Sequence, residues 1–267
     1  MSGSDQSTYL VTGVLSEDSI AFGIARALQA DGARILVTGH GRSARLTANA
    51  IQALPVTPEL FTFDAREEAD YAGLAAALSH RCSSLDGIVH CIGHAPDSAL
   101  GGHFLSTPTE DALLALRVSA VSLQGLAREL LPLLVRAPQG ASIVALDFDA
   151  HVAWRGYDWM GVSKSALASV ARYLALYLGE QGVRVNLVSA GPLETLSGTA
   201  VSTYPDLVRH WAQAPLGWDP LDMSAVVDAV VLLLSHRARG ITGEIVHVDG
   251  GMHAVGLGPM ATAELTS

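Results

Sequence analysis

Short apolar runs and stretches of helical periodicity alternate along this chain from one end to the other. Each run is brief and rich in β-branched residues, which is typical of buried strands, whereas the stretches between them repeat apolar residues at helical spacing. This alternation predicts an α/β fold in which a parallel sheet carries helices on both faces. The runs predict about seven strands, centred near Tyr9, Ile35, Phe61, Val89, Val144, Val185 and Val246.

The helical stretches predict helices over residues 19–30, 44–54, 67–83, 109–136, 156–180 and 224–235. No repeat or linker interrupts the alternation before Val248, so we expect a single dinucleotide-binding domain over residues 1–267, with a Rossmann-type, doubly wound sheet. We expect residues 1–7 to form a flexible start and residues 256–267 a C-terminal tail. Residues 191–222 mix prolines with a short amphipathic piece, and we expect them to form a helical substrate-binding lid.

Composition narrows the class of protein. With 49% hydrophobic and 16% charged residues the chain can bury a large core, and its longest apolar runs fall short of the roughly 20 residues of a membrane-spanning helix. Two cysteines do not make a disulfide framework, and the first residues lack the pattern of a secretory signal, so we expect a soluble, cytoplasmic protein. The net charge of −10 disfavours a nucleic-acid partner.

Ten histidines raise the question of a metal site, for which His90, Cys91 and His94 are the densest candidate group. These residues belong to a run that reads as a buried strand, on which neighbouring side chains point to opposite faces. Their side chains would therefore not converge on one ion. We expect packed histidines near a strand end and no metal.

Three strand ends carry features of a dinucleotide site. After the first strand, Gly13 permits a tight turn and Ser19 can cap a helix whose N-terminus faces a phosphate. The Gly-x-Gly-x-x-Gly pattern is absent, so a capped helix after a turn stays an alternative reading. Asp64 follows the third strand, where a carboxylate can accept a hydrogen bond from an adenine amino group, and Gly93 follows the fourth, where a flat ring system can pass close to the backbone.

The end of the second strand normally selects between NAD and NADP. Here it carries no acidic residue to hold a ribose 2′-hydroxyl, whereas Arg42 and Arg45 are placed to meet a 2′-phosphate. The choice between the two cofactors stays open on these residues.

Tyr157 and Lys164 lie seven residues apart in a predicted helix. Seven residues are close to two turns, so the two side chains would share a face at a separation of about 10 Å along the axis. A ribose held by the lysine, with the phenol reaching past it to a carbonyl, would suit a reaction in which negative charge develops on that oxygen. The alternative is a packed tyrosine at a helix start and a solvated lysine.

Longer motifs support the catalytic reading, and together they run essentially end to end. They are "SIAFGIA" within residues 13–25, "DA" at 64–65, "HCIGHAP" at 90–96, "DFD" at 147–149, "YDWMGVSKSAL" at 157–167, "GVRVNLVSAGPLETL" at 182–196, "APLGW" at 214–218 and "TGEIVHVDGG" at 242–251. With them the chain resembles the enoyl-acyl-carrier-protein reductases of the InhA and FabI type, a divergent branch of the short-chain dehydrogenase/reductase superfamily. The Tyr-x6-Lys spacing is the signature of that branch.

The resemblance implies NADH-dependent reduction of a trans-2-enoyl thioester in fatty-acid or related biosynthesis, with NADPH as the alternative cofactor. Tyr157 and Lys164 would be the catalytic residues, with Tyr157 bonded to the thioester carbonyl and Lys164 to the nicotinamide ribose. The cofactor residues would be Gly13, Ser19, Ile20, His40, Asp64, Ala65, Ile92, Gly93, Lys164, Leu193 and Thr195, and the substrate residues His94, Ala95, Phe148, Tyr157, Met160 and Leu196. The resemblance also implies a homotetramer in which the helices starting at Thr109 and Gly156 form one interface.

The chain departs from the family pattern around the substrate. Arg155 replaces a proline and Gly156 precedes the tyrosine, so we expect a looser entry to that helix; Glu194 stands where arginine is usual. The lid carries Arg209 as its one fixed cation between residues 197 and 213, which weakens the expectation of a highly acidic carrier protein and makes a coenzyme A thioester credible. Two other functions stay open: a reductase of a specialised enone or ketone, and a non-catalytic dinucleotide-binding protein.

Overall fold

A seven-stranded, entirely parallel sheet forms the centre of the molecule, in the order β3-β2-β1-β4-β5-β6-β7. The computed structural model describes residues 6–255, apart from the side chain of Arg42, so the expected tail at 256–267 and most of the expected flexible start at 1–7 lie outside the described residues. The strands are β1 Thr8–Val11, β2 Arg34–Gly39, β3 Glu59–Thr62, β4 Gly87–His90, β5 Ala141–Asp147, β6 Val183–Ala190 and β7 Ile245–Val248. The predicted α/β class, the strand number and the parallel arrangement are confirmed.

Helices cover both faces of the sheet in the described part of the chain. Their bounds are α1 Ile20–Ala30, α2 Gly41–Ala50, α3 Glu68–Ser79, α4 Thr109–Leu116, α5 Ser122–Leu134, α6 Asp158–Leu178, α7 Leu196–Thr199, α8 Tyr204–Trp211 and α9 Ser224–Leu234. Between α4 and α5 the chain makes a π turn over Arg117–Val121. The helix predicted over 109–136 is therefore continuous over 109–134, with a π-helical turn in its middle. Within residues 6–255, no helix is both long and apolar enough to cross a bilayer.

The five inner strands are buried on both faces, because neighbouring residues along each of them contribute to two separate cores, whereas the edge strands β3 and β7 are partly exposed. In β1, Leu10 faces α3, α5 and α6, whereas Tyr9 and Val11 face α1 and α9. Leu10 sits in register with Leu36 of β2 on one side and Ile88 of β4 on the other. Burial on both faces explains why the strands read as nearly continuous apolar runs rather than as alternating patterns.

The sheet order reverses between β1 and β4, since β2 and β3 extend the sheet one way and β5 to β7 the other. In an open parallel sheet such a reversal opens a crevice at the carboxyl ends of the strands, where ligands bind. The residues expected to bind the dinucleotide follow β1, β2, β3, β4 and β6, and Tyr157 and Lys164 follow β5. The fold therefore brings the candidate residues to one edge of the sheet.

Candidate active site

The turn after β1 is tightly fastened to the end of β4. Gly13 has a positive φ of 84°, and a Cβ at this position would collide with the carbonyl oxygen of Cys91. Beside it, the Thr12 hydroxyl accepts a hydrogen bond from the Cys91 amide at 3.1 Å and donates one to the Val89 carbonyl, also at 3.1 Å. Only glycine fits this turn without strain. The predicted turn therefore exists and lies at the sheet reversal.

Ser19 caps α1, as its sequence position predicts. Its backbone is extended, with φ −77° and ψ 141°, and its hydroxyl accepts from the Phe22 amide and donates to the Ser16 carbonyl at 2.7 Å. Ile20 is the first residue of the helix. Within α1, Gly23 allows a close approach of the chain before α9, because an added Cβ would lie 2.9 Å from the Met223 sulfur. The helix N-terminus is thus pre-formed beside the Gly13 turn, as an anion site requires.

Asp64, at the expected adenine end, is held by a residue that the sequence reading did not single out. Arg66 donates to both carboxylate oxygens, from Nε at 3.0 Å and from Nη2 at 2.6 Å, and its backbone amide donates as well. The Arg66 hydrogen bonds lower the pKa of Asp64 to about 2, outweighing its partial burial. His40, which precedes α2, places Nδ1 3.4 Å from the same carboxylate. Ala65, next in the chain, accepts a hydrogen bond from the Tyr71 hydroxyl at 3.0 Å.

The loop after β4 is fixed to the π turn through Ser119. The Ser119 hydroxyl accepts from the His94 amide at 3.0 Å and donates to the His94 carbonyl at 3.1 Å. Around Gly93 the loop is open, since the nearest atom to an added Cβ is the Ser119 hydroxyl oxygen at 3.9 Å. Ile92 packs on the core and Ala95 is half-buried, so the predicted residues of this loop line one open edge.

His90, the histidine at the end of β4, takes part in a hydrogen bond within the core. Its Nε2 lies 2.8 Å from the Ser122 hydroxyl, and burial lowers its pKa to about 3, so the ring is neutral near pH 7. His94 lies on the exposed loop that follows. The two rings therefore occupy different environments.

Lys164 is buried beneath the crevice. The residue is 8% exposed, and Nζ donates to the Leu146 carbonyl of β5 at 2.7 Å. Burial lowers the pKa of Lys164, an effect that the neighbouring Asp147 opposes. Burial also raises the pKa of Asp147 to about 6, and one of its carboxylate oxygens, Oδ1, is buried without a hydrogen-bond partner. The alternative of a solvated lysine is therefore wrong, and Asp147 is a site residue to which the sequence reading gave no role.

Tyr157 stands immediately before α6, with its ring packed on Phe148. The two ring centroids are 5.1 Å apart, and Phe148 also contacts Trp154 and Trp211 at 5.7 and 5.5 Å. Burial, with a smaller contribution from Asp147, raises the pKa of Tyr157, so the phenol stays protonated near neutral pH. Its hydroxyl has no hydrogen-bond partner among the described residues. Tyr157 thus presents a free donor beside an aromatic wall.

The segment entering α6 is fixed at several points, and the expectation of a looser entry is wrong. Gly156 has a φ of 74°, its carbonyl accepts from the Gly101 amide at 2.9 Å, and an added Cβ would lie 2.6 Å from Thr203 Cγ2. The Thr203 hydroxyl, from the lid, donates to the Arg155 carbonyl at 2.9 Å. Asp158 accepts from the amides of Gly102 and His103. The glycine that suggested looseness allows instead a close approach of the lid.

The lid, residues 191–222, contains helices α7 and α8. Thr195 caps α7 by accepting from the Gly198 amide at 3.0 Å, and Leu193 is buried against the core. Leu196 is exposed and Met160, at the start of α6, is half-buried. Trp218 joins the end of the lid to its beginning by donating to the Pro192 carbonyl at 2.8 Å, two residues after β6.

This chain is similar in sequence to proteins of one reductase family. Residues 13–253 match a family model described as enoyl-(acyl carrier protein) reductase. A Mycolicibacterium smegmatis protein named enoyl-[acyl-carrier-protein] reductase [NADH] is 37% identical over 257 residues, covering 91% of this chain and 94% of the relative. The FabI reductase [NADH] of Aquifex aeolicus is 35% identical, covering 93% and 92%, and the FabI reductase [NADPH] of Staphylococcus aureus is 33% identical, covering 94% and 98%.

Proposed function

The chain belongs to the enoyl-(acyl carrier protein) reductase family, and from that premise we propose that it reduces the carbon–carbon double bond of a trans-2-enoyl thioester in fatty-acid or related biosynthesis. The observation that carries the proposal is the arrangement at the start of α6. There the ring of Tyr157, protonated and with a free hydroxyl, packs against Phe148, and Lys164 lies buried two turns further along the helix.

A nicotinamide dinucleotide fits the crevice on three observations. The Gly13 turn and the capped start of α1 form a cradle that a Cβ would fill, the loop at Gly93 leaves open space, and Asp147 keeps a buried oxygen without a partner beside Lys164. Gly13, Ser19 and Ile20 would hold the pyrophosphate, His40, Asp64 and Ala65 the adenosine, and Ile92, Gly93, Lys164, Leu193 and Thr195 the nicotinamide half. When bound in its reduced form, this group supplies a hydride to the β-carbon of the substrate.

Tyr157 would act on the substrate carbonyl. Hydride addition at the β-carbon moves negative charge onto the thioester oxygen, to which the Tyr157 hydroxyl donates a hydrogen bond. A proton added at the α-carbon then completes the reduction to the saturated thioester. The raised pKa of Tyr157 keeps the proton on the phenol oxygen, so the residue acts as a donor. Phe148, His94, Ala95, Met160 and Leu196 would line the acyl substrate.

For the cofactor we propose NADH. Asp64 is ionised throughout the neutral range and lies beside His40 at the end of β2 and β3, so a 2′-phosphate there would meet a fixed negative charge. Arg66 is held on that carboxylate through Nε and Nη2, and the Arg42 side chain lies outside the described residues. Relatives named for NADH and for NADPH both exist, so NADPH is the alternative that an assay must exclude.

For the carrier, the lid favours a substrate that does not depend on a basic docking surface. Arg209 on α8 is paired with Asp206 of the same helix, so its charge is offset locally. The rates with enoyl thioesters of acyl carrier protein and of coenzyme A are therefore to be compared.

The decisive experiment is the Tyr157→Phe variant, with NADH and NADPH oxidation followed on crotonyl and longer enoyl thioesters of coenzyme A and of carrier protein. A lost oxyanion donor costs about 100- to 1000-fold in kcat. We expect a fall of that size with unchanged NADH affinity, because the phenol contacts the substrate and not the dinucleotide. Wild-type protein that oxidises neither cofactor with any enoyl thioester, but does so with a ketone, would refute the proposal.

We also propose a homotetramer. In support, α6 presents an exposed apolar stripe formed by Tyr173, Leu176 and Tyr177, and α4 adds the exposed Leu113. Contiguous apolar surface of this kind is typical of protein contacts.

A further inference from the structure

Two histidines and an aspartate that take no part in the proposed reaction meet at one end of the sheet. Asp149 and His151 belong to the connection between β5 and α6, and His247 belongs to the edge strand β7. One ligand atom of each residue lies within 4.8 Å of those of the other two. Nearly a hundred residues separate His151 from His247 along the chain, so no local motif announces this group.

Asp149 is the fixed member of the group. It is buried, and its Oδ1 accepts from both the backbone amide and the ring Nδ1 of His151 at 3.0 Å. Its own carbonyl accepts from the Trp154 indole at 2.7 Å, which anchors the backbone. A buried carboxylate whose position is set by hydrogen bonds is a pre-organised metal ligand.

His247 is held in place by packing. Its ring stacks on His253 at a centroid distance of 3.9 Å and lies 6.2 Å from the His151 ring. His253 in turn is bonded to Asp249 through Nδ1 at 3.0 Å. The His247 ring has no hydrogen-bond partner within residues 6–255, so its ring nitrogens are available to a ligand.

We propose that Asp149, His151 and His247 bind a divalent transition-metal ion of the Zn²⁺ type. Two imidazoles and one carboxylate are a donor set that such ions prefer, whereas Ca²⁺ and Mg²⁺ need more oxygen ligands than the cluster provides. Three protein ligands leave a fourth, open position for water. The three ligand atoms lie within 4.8 Å of one another, and side-chain rotation on metal binding would bring them to the spacing of about 3.3 Å found around one tetrahedral ion.

The ion would join two parts of the active-site wall. Asp149 and His151 lie between Phe148 and Tyr157 in the connection from β5 to α6, while His247 lies on β7. A bound ion therefore clamps the β5–α6 connection to the edge of the sheet. Since the folded chain alone presents the site, binding raises the midpoint of thermal unfolding as metal concentration rises.

The experiment uses the full chain without a histidine tag. Zn²⁺ affinity is measured by competition with a chromophoric chelator, and the Co²⁺-substituted protein is examined for the visible absorption of a four- or five-coordinate site. We expect one ion per chain at micromolar concentration, and a loss of at least tenfold in affinity in both His151→Gln and His247→Gln.

His80→Gln is the matched control, because His80 is an exposed histidine at the end of α3, away from the cluster, and this variant is expected to bind as the wild type does. His151 is exposed, so its variant keeps the test valid if His247→Gln does not fold, as judged by circular dichroism. Unchanged affinity in His151→Gln, or no binding by the wild type at micromolar metal, would overturn the proposal. No readout depends on reductase activity.

Discussion

At the scale of single residues, Asp64 shows how one ion pair sets both charge and stability at the nucleotide end. Its pKa is lowered to about 2 by Arg66, so the carboxylate is more acidic in the folded chain than in the unfolded one. A depressed pKa gives stability that is present above the unfolded value near 4 and lost as pH falls through the folded value. As pH falls, the contribution of this ion pair to stability therefore decreases before the folded carboxylate is protonated, because the unfolded chain takes up the proton first.

We expect Asp64→Asn to lower the free energy of unfolding by roughly 1 to 2 kcal/mol at pH 7, an amount reduced because Arg66 is half exposed. The difference from the wild type should shrink by about 1 kcal/mol between pH 5 and pH 3, as the unfolded wild type takes up its proton. Urea denaturation across this pH range measures both effects. A deficit that stays constant with pH would show that the ion pair is not its cause.

The site residues proposed from the sequence differ from those that only the structure revealed in the kind of signal each leaves in the sequence. Gly13, Tyr157 and Lys164 stand at spacings that only a particular turn or helix explains, so their positions carry information. Arg66 and Ser119 act through contacts that depend on how the chain folds back, and arginine or serine at such positions is ordinary in a surface loop or a helix. Asp147 lay inside a quoted motif, but its burial beside Lys164 needed the structure.

At the scale of elements, Gly156 couples the lid to the start of α6. We expect Gly156→Ala to lower the free energy of unfolding by about 1 to 3 kcal/mol, because alanine at φ 74° is strained and its Cβ meets Thr203. Displacement of Tyr157 should also reduce kcat/KM. Chemical denaturation and steady-state kinetics measure the two effects.

Gly73→Ala is the control for that variant. Gly73 lies in α3 with no atom within 4 Å of an added Cβ, so alanine there should raise the free energy of unfolding by about 0.5 to 1 kcal/mol through helix propensity. If Gly156→Ala unfolds at the same denaturant concentration as the wild type, the tight contact with Thr203 is not formed in solution.

The elements themselves were largely predictable, because the inner strands are buried on both faces and therefore consist of short runs of apolar residues. The helix predicted over 109–136 is present as a continuous helical segment, but its middle is the π turn, where Ser119 contacts the backbone of His94. Its residues, Arg117 to Val121, suit an α-helix equally well, so nothing local distinguishes the two conformations. The tertiary contact decides, and sequence periodicity does not report it.

At the scale of the whole molecule, the sheet order gathers residues from six strand ends into one crevice and leaves the outer face of α6 exposed. Tyr173, Leu176 and Tyr177 follow one another at helical spacing on that face, and the rings of Tyr173 and Tyr177 stack at 6.4 Å. Such a stripe costs solubility unless another chain covers it. Tyr157 and Lys164, the proposed catalytic residues, lie towards the other end of the same helix, so association would hold α6 without touching Tyr157.

We therefore expect Leu176→Glu to break the assembly, because Leu176 is 65% exposed in one chain and a carboxylate cannot be buried there unpaired. Light scattering coupled to size-exclusion chromatography should give a mass near four chains of 27.8 kDa for the wild type and a smaller species for the variant. Val56→Glu is the control, since Val56 is 68% exposed but lies before β3, away from α6, and should leave the mass unchanged. A monomeric wild type, or a variant of unchanged mass, would exclude this face as the subunit contact.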